Sequence, residues 1–378
     1  MLLGTVGLGL IHLESFGDRT FPRFLRRANA PKGLIGYMRL PGKIGMGARR
    51  GYFHNIYDEF ADHIRNGLSK DFGAKTISPK FFYDDSGSRL FDKICRQPEY
   101  YPTRTEIEIL EKYSKEIISG LNCNAASMIE FGSGSSLKTR IILKHFFSHG
   151  VNVMYFPVDI SHTALGSSVR KLTSEFKNLS IIGVSSEYLE GIRRIRNLIE
   201  ANNQMPKKKV MFFLGSSIGN FEPDATKSFL KSIKRSMRTD TQDNLFISFD
   251  LEKDIDKLQA AYNDRAGITS RFNLNLLKRV NKDLGGTFNL RNFFHSATYN
   301  RKRKRIEMFI VSKYDQEVYI RDLNQTIILK KNEKIHTENS YKYSLNQIEQ
   351  LAEESGFVVM RNYVDTNRWF ALVSLSPR

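Results

Sequence analysis

From about residue 125 the apolar positions fall into a rhythm. Short apolar runs alternate with stretches whose apolar residues recur at helical spacing. SMIEFGSGSS at 127–136 predicts a strand running into a glycine loop. VNVMYFPVDIS (151–161), LSIIGVSS (179–186), KVMFFLGSSIGNF (209–221) and NLFISFDL (244–251) predict four more strands. Between them, LKTRIILKHFF, HTALGSSVRKLTSEF, EYLEGIRRIRNLIEAN and DATKSFLKSIKRSM predict helices. This alternation predicts an α/β fold with a doubly wound, mostly parallel sheet. Ligands of such sheets sit at the carboxyl ends of the strands, which nominates Glu130 to Ser136, Asp159, Gly215 to Asn220 and Asp250.

The pattern changes on both sides of this block. Residues 253–285 read as helical with a break near Gly267, and RIEMFIVSKY and QTIILKK follow as alternating strands. Ser344 and Gln347 form a capping box. Ile348, Leu351 and Ala352 continue it as an apolar stripe, Gly356 stops the helix, and WFALVSLS is a last strand. Residues 55–115 are helical and loop-like, and Thr103 with Glu106 reads as a second capping box after Pro102. The chain therefore divides into a basic, poorly structured extension (1–54), the first part of a smaller unit (55–115), and the doubly wound domain (116–252). An insertion (253–345) and a closing helix and strand (346–378) complete it.

Composition narrows the function. Of 378 residues, 40% are hydrophobic and 12% aromatic, enough for a core and incompatible with a disordered protein. Two cysteines, Cys95 and Cys123, exclude a disulfide scaffold and point to reducing cytoplasm. No run is long and apolar enough to predict a bilayer span, and the apolar start lacks the basic flank of a signal peptide. Residues 1–50 carry nine Lys or Arg against two acids, part of a net charge of +18. A basic balance permits nucleic-acid binding, but the remaining charge is scattered, and RKRKR at 301–305 reads as a solvated hairpin tip. A small-molecule substrate and a monomer are the expectation.

Glycines after the first strand let the backbone turn tightly and approach a ligand. Asp159, 27 residues beyond Gly132, ends the next strand, where an acid accepts both hydroxyls of a ribose. The third fingerprint glycine is missing, so S-adenosylmethionine (SAM) and NAD fit this motif equally. GSSIGNF at 215–221 replaces the Asn/Asp-Pro-Pro-Tyr of many amino-methylating enzymes with small residues and Asn220, a residue that also caps helices. Tyr100 and Tyr101 in PEYYPTRTE, and Glu338, Asn339, Ser340, Tyr341 and Tyr343 in IHTENSYKYS, have no structural assignment. His145 and His149 are four apart on one helix, but no third metal ligand accompanies them.

Taken together, FFYDDSGSRLFDKICRQPEYYPTRTEIEIL, EFGSGSSLKTR, PVDIS, FLGSSIGNFEP, AAYNDRAGITSRFNLNLL, RIEM and IHTENSYKYS resemble the histidine Nα-methyltransferases of ergothioneine biosynthesis, over about residues 55–376. The resemblance implies a Rossmann-like class I SAM-methyltransferase sheet with a second, smaller substrate-binding domain. It implies three methyl transfers from SAM to the α-amine of histidine, giving hercynine. By the same resemblance Tyr101 (with Tyr100 as rival), Gly132, Lys138 and Asp159 contact the cofactor. Asn220 and Tyr262 hold the substrate carboxylate, Glu338 and Ser340 the imidazole, Met308 packs beside the ring, and Tyr83 lies near the reacting amine. One departure stands out: where relatives carry an adenine-binding acid after the third strand, this chain reads GVSSEY, which puts Val184, Ser185 or Ser186 in its place, with Glu187 out of register unless a gap is allowed. Other readings are a methyltransferase of another amino acid or amine, or a basic RNA-binding protein on the same fold.

Overall fold

The computed structural model describes residues 34–40, 43–47, 53–134 and 136–378. The apolar start of the chain, read above as a poor signal peptide, lies outside the described residues. The described residues form the strands β1 (Leu34–Leu40), β2 (Lys43–Gly47), β3 (Ala125–Phe131), β4 (Asn152–Asp159), β5 (Ser180–Ser185), β6 (Lys209–Phe213) and β7 (Asn244–Asp250), then β8 (Phe293–Asn300), β9 (Arg305–Ser312), β10 (Gln316–Ile320), β11 (Gln325–Leu329), β12 (Lys334–Tyr341), β13 (Phe357–Val364) and β14 (Phe370–Pro377).

One nine-stranded sheet has the order β13-β14-β7-β6-β3-β4-β5-β1-β2. Its centre, β5-β4-β3-β6-β7, is parallel. The central strands are buried along nearly their whole length, which is why they read as continuous apolar runs rather than alternating ones. Separate apolar cores cover the two faces, one around Phe213 and Phe229 and the other around Phe146 and Leu165. The chain leaves β3 for β4 and β5 on one side, then returns to β6 and β7 on the other. That reversal opens a crevice at the carboxyl end of β3.

A third apolar core draws on two distant stretches, Phe60 to Tyr101 and Leu258 to Ile335. It packs under the antiparallel sheet β12-β9-β8 and the pair β10-β11. A backbone bridge between Thr76 and His336 ties the two stretches together, and another between Leu251 and Tyr343 ties this unit to the end of β7. The RKRKR segment turns between β8 and β9, and Gly267 breaks the helical region as expected.

Several strands escape the periodicity. Leu34–Leu40 and Lys43–Gly47, expected as part of a poorly structured extension, pair with each other and extend the sheet beside β5. β8 has irregular apolar spacing, β10 is only five residues long, and β13, an edge strand, exposes Val358 and Met360. Edge and solvent-facing strands need no buried alternation, so their pattern is weak.

Candidate active site

The glycine loop after β3 is built by backbone conformation. Gly132 has φ +73 and Gly134 φ +47, both costly for other residues. The Gly132 amide donates to the Val158 carbonyl at 2.8 Å, closing the loop onto β4. A Cβ on Gly132 would lie 3.2 Å from the Tyr188 hydroxyl oxygen. Asp159, at the end of β4, accepts from the Ser161 amide at 2.9 Å and the Gly134 amide at 3.3 Å. Burial raises its carboxyl above the usual range, while these backbone donors oppose the rise. Gly132 and Asp159 thus face one another across the crevice.

Beside this loop lies a cleft with an empty volume of ≈ 580 Å³, and Tyr83, Asn220, Tyr262, Met308, Glu338 and Ser340 all line it. Residues separated by more than 250 positions in the chain meet here. Asn220 ends a 3-10 turn, Ser217–Asn220, after β6. That turn presses on β12: a Cβ on Gly219 would sit 3.0 Å from the Tyr341 carbonyl oxygen, a tight approach that favours glycine. Met308 on β9 pairs with Glu338 on β12, next to a bulge between His336 and Glu338. Glu338 and Ser340 are two apart on one strand and share a face. Both lie within one strand, and Ser344 beyond it forms the expected capping box with Gln347.

The Glu338 carboxylate has no hydrogen-bond partner among the described residues. Burial pushes its carboxyl up to about 7, against the pull of Lys342. Ser340 accepts from the Tyr262 hydroxyl at 2.7 Å and from the Lys342 ammonium at 2.7 Å. Lys342 is fully enclosed, and its other partners are Asp250 at 2.8 Å and the Tyr262 hydroxyl at 3.2 Å. Burial alone would lower the pKa of its ammonium, but Asp250 holds it above its ordinary value. Burial, then Glu338, raises the Tyr83 hydroxyl well above its usual range, so it stays protonated.

Two expected cofactor contacts are placed otherwise. Tyr100, not Tyr101, lines the cleft. Tyr101 does not line it; its hydroxyl is held by Asp250, itself a lining residue, at 2.7 Å and by Lys253 at 2.8 Å. Two adjacent residues at a helix start point in different directions, and the sequence alone did not say which faced inward. Lys138 pairs with Glu106 at 2.7 Å. Glu106 does not cap its helix, because the helix Tyr101–Ser119 starts before Thr103. It is buried instead, accepting from Lys138, the Gly215 amide at 2.8 Å and the Ser248 hydroxyl. Lys138 is thereby held between the glycine loop and the 215–220 turn.

A second cleft, ≈ 400 Å³, is lined by Ile160, Glu187, Lys80 and Tyr83 among others. Val184, Ser185 and Ser186 are all buried in the sheet and do not reach it. Glu187, at the start of the helix Tyr188–Ala201, faces this cleft and pairs with Lys80 at 2.8 Å. Tyr83 lines both clefts and so stands between them.

The model of the family described as "histidine-specific methyltransferase, SAM-dependent" matches residues 60–377. The chain belongs to that family. It is 35% identical to the histidine N-alpha-methyltransferase of Mycobacterium tuberculosis over 282 residues, 74% of this chain and 83% of that one. It is 28% identical over 302 residues to the ergothioneine biosynthesis protein 1 of Schizosaccharomyces pombe, covering 75% of this chain and 36% of that longer protein. It is also 27% identical over 331 residues to an L-tryptophan methyltransferase of Psilocybe serbica, 82% of this chain and 91% of that one.

For a SAM-dependent histidine-specific methyltransferase the two clefts make chemical sense. The glycine loop leaves open space at Gly134, where a Cβ would meet nothing within 4 Å. Asp159 sets a carboxylate at the end of β4, and Glu187 another just past β5. These features fit the cofactor. Sequence reasoning missed Glu106 and Lys342 as parts of the site, and it set Glu187 aside as out of register. Glu106 was hidden by a plausible capping box. The signal for Lys342 was a lysine two residues beyond Ser340, facing the core on a strand of period two. Among the described residues no helix is long and apolar enough to cross a membrane.

Proposed function

We propose that this methyltransferase trimethylates the α-amine of L-histidine, giving hercynine for ergothioneine formation, with Glu338 as the reader of the imidazole ring. The observation that carries this reading is a carboxylate without a partner, set into a cleft between Met308 and Ser340. A half-buried acid whose carboxyl is pushed up by desolvation and has no partner gains from a donor, so a ligand N–H is its natural complement. Ser340 faces the second ring nitrogen, Met308 packs along the ring, and the Asn220 amide donates to the substrate carboxylate beside Tyr262.

SAM, held at Gly132, Asp159 and Glu187, supplies an electrophilic methyl group. The chain's own task is positioning. The nucleophile is a neutral amine, and a free α-amine has a pKa of ~7.7–8.0, so a useful fraction is neutral at cellular pH. The ammonium formed by the first and by the second transfer must each release a proton before the next. Tyr83 remains protonated, so it orients the amine and passes these protons to water rather than acting as a fixed base. Tyr100 closes the same wall. A monomer in reducing cytoplasm fits the two unpaired, half-buried cysteines.

The test is direct. Purified protein mixed with SAM and histidine should yield mono-, di- and trimethylhistidine in sequence by mass spectrometry. No methylated histidine between pH 7 and 9 would end this reading.

A further inference from the structure

We infer that Glu222 is a positioning residue. By clipping the Asn220 turn to the back of β12, it fixes the span between the carboxylate and ring contacts, so that the site selects amino acids by side-chain length. This rests on the histidine reading above and deepens it.

β12 is an edge strand of the sheet β12-β9-β8, and its side chains alternate between two faces. Glu338 and Ser340 face the cleft with Met308. Asn339 and Tyr341 face the other way, and their partners across the ladder, Glu307 and Arg305, share that reverse face. The 217–220 turn meets β12 at its edge, where Gly219 approaches the Tyr341 backbone. Asn220 lies on the cleft side of that edge. Glu222, two residues later, reaches the reverse side. Its carboxylate accepts from Arg305 at 2.7 Å, from Asn339 at 2.9 Å and from the Tyr341 hydroxyl at 2.6 Å. Burial would raise this carboxyl, but the bonds from Tyr341 and Arg305 hold it below its ordinary value, so it stays ionised at neutral pH. Arg305 is itself anchored by Glu307 at 2.7 Å. Glu222 precedes the helix Pro223–Lys234, yet its side chain does not cap it, so its bonds all go to the reverse face. The turn therefore straddles β12, with Asn220 on one side and an ionic clip on the other. Asn220 follows β6 of the nine-stranded sheet and Glu338 lies in the three-stranded one, so their separation depends on how the two sheets are joined. The clip joins them within two residues of each contact. An amino acid held at both ends is measured by that separation: with one methylene too many, either its carboxylate or its ring leaves its partner.

Homohistidine, which is histidine lengthened by one methylene between the α-carbon and the ring, tests this. With both amino acids in one reaction, mass spectrometry of the methylated products gives the ratio of their kcat/KM values directly. The wild type should prefer histidine by at least ~10-fold, the worth of one misfitted methylene. In Glu222→Ala the span is no longer held, and the ratio should fall by about 3-fold or more. The fall is modest because Glu222 is half exposed and its bonds are partly screened. Arg305 keeps Glu307 there and is not orphaned. Should that variant fail to fold, Tyr341→Phe removes one bond of the clip and no charge, and its ratio should fall by about 2-fold. A general loss of packing slows both substrates and cancels in the ratio. A wild-type ratio near one, or a ratio that does not fall in the folded variant, overturns the inference and leaves histidine methylation standing. Failure of the wild type to methylate histidine overturns both.

Discussion

The cofactor loop and the substrate wall are built by opposite means. The loop between β3 and the following helix is made of backbone: two glycines at positive φ, an amide closing on Val158, and amides turned to Asp159. The wall opposite is made of side chains. Glu338, Ser340, Tyr262 and Lys342 form a charged, hydrogen-bonded patch under a cleft, each placed by packing elsewhere. Backbone sites tolerate many sequences but few conformations. Side-chain sites fix chemistry and depend on a supporting layer. Perturbing each kind should therefore fail in a different way.

The largest effect is expected where the two halves join. Glu106 holds the Gly215 amide, Ser248 and Lys138 from a fully buried position. Glu106→Ala strands Lys138 and that amide, and breaking such a buried pair costs roughly 3–5 kcal/mol. Urea unfolding should show this loss, and both SAM and histidine affinity should fall together. A loss confined to one ligand would mean that the two loops are not mechanically linked.

On the substrate side, Glu338→Ala should weaken histidine by a factor of about 10–100, the worth of a hydrogen bond to a charged group. SAM binding should hardly change. Calorimetry with each ligand separately decides it, and equal losses would remove Glu338 from the ring-reading role. On the cofactor side, Gly132→Ala places a Cβ at φ +73 and 3.2 Å from the Tyr188 hydroxyl. It should cost about 1 kcal/mol or more of stability and weaken SAM selectively. The two substitutions together form a cross: each should move one ligand and spare the other.

The same contrast explains what could be read from the chain. The parallel sheet was legible because buried strands carry continuous apolar runs, and the loop because glycine announces positive φ within a few residues. The candidate substrate residues Asn220, Tyr262, Met308 and Glu338 came from a resemblance in motifs, since nothing local in a strand such as KIHTENSY says which face meets a cleft. Tyr100 and Tyr101 show the limit. Both are tyrosines at a helix start, and only packing against Trp369 and Asp250 sends one away from the site. Glu187 was obscured differently. It lies just past β5 at a helix start, and buried Ser185 and Ser186 occupy the register that a linear reading assigned to an acid.

The smallest effect concerns stability and shows whether the substrate wall is strained before histidine arrives. Burial pushes the Glu338 carboxyl up to about 7 from an ordinary value of 4.5. Below pH 4.5 folded and unfolded chains both carry the proton, and Glu338 makes no difference. Between 4.5 and 7 the folded chain binds more protons than the unfolded one, so stability falls as pH rises. Above 7 the fall is complete, at about 1–2 kcal/mol once partial solvation is allowed for. Glu338→Gln carries no charge and should therefore match the wild type near pH 4.5 and exceed it at pH 8. Glu130, also pushed up to about 7 by burial, adds a similar slope to both proteins and drops out of the difference. Thermal melts across this range, without ligand, measure it. A glutamine variant no more stable at pH 8 would mean that the free carboxylate is already compensated. The wall would then gain nothing from an incoming N–H beyond an ordinary hydrogen bond, and specificity would have to rest on Ser340.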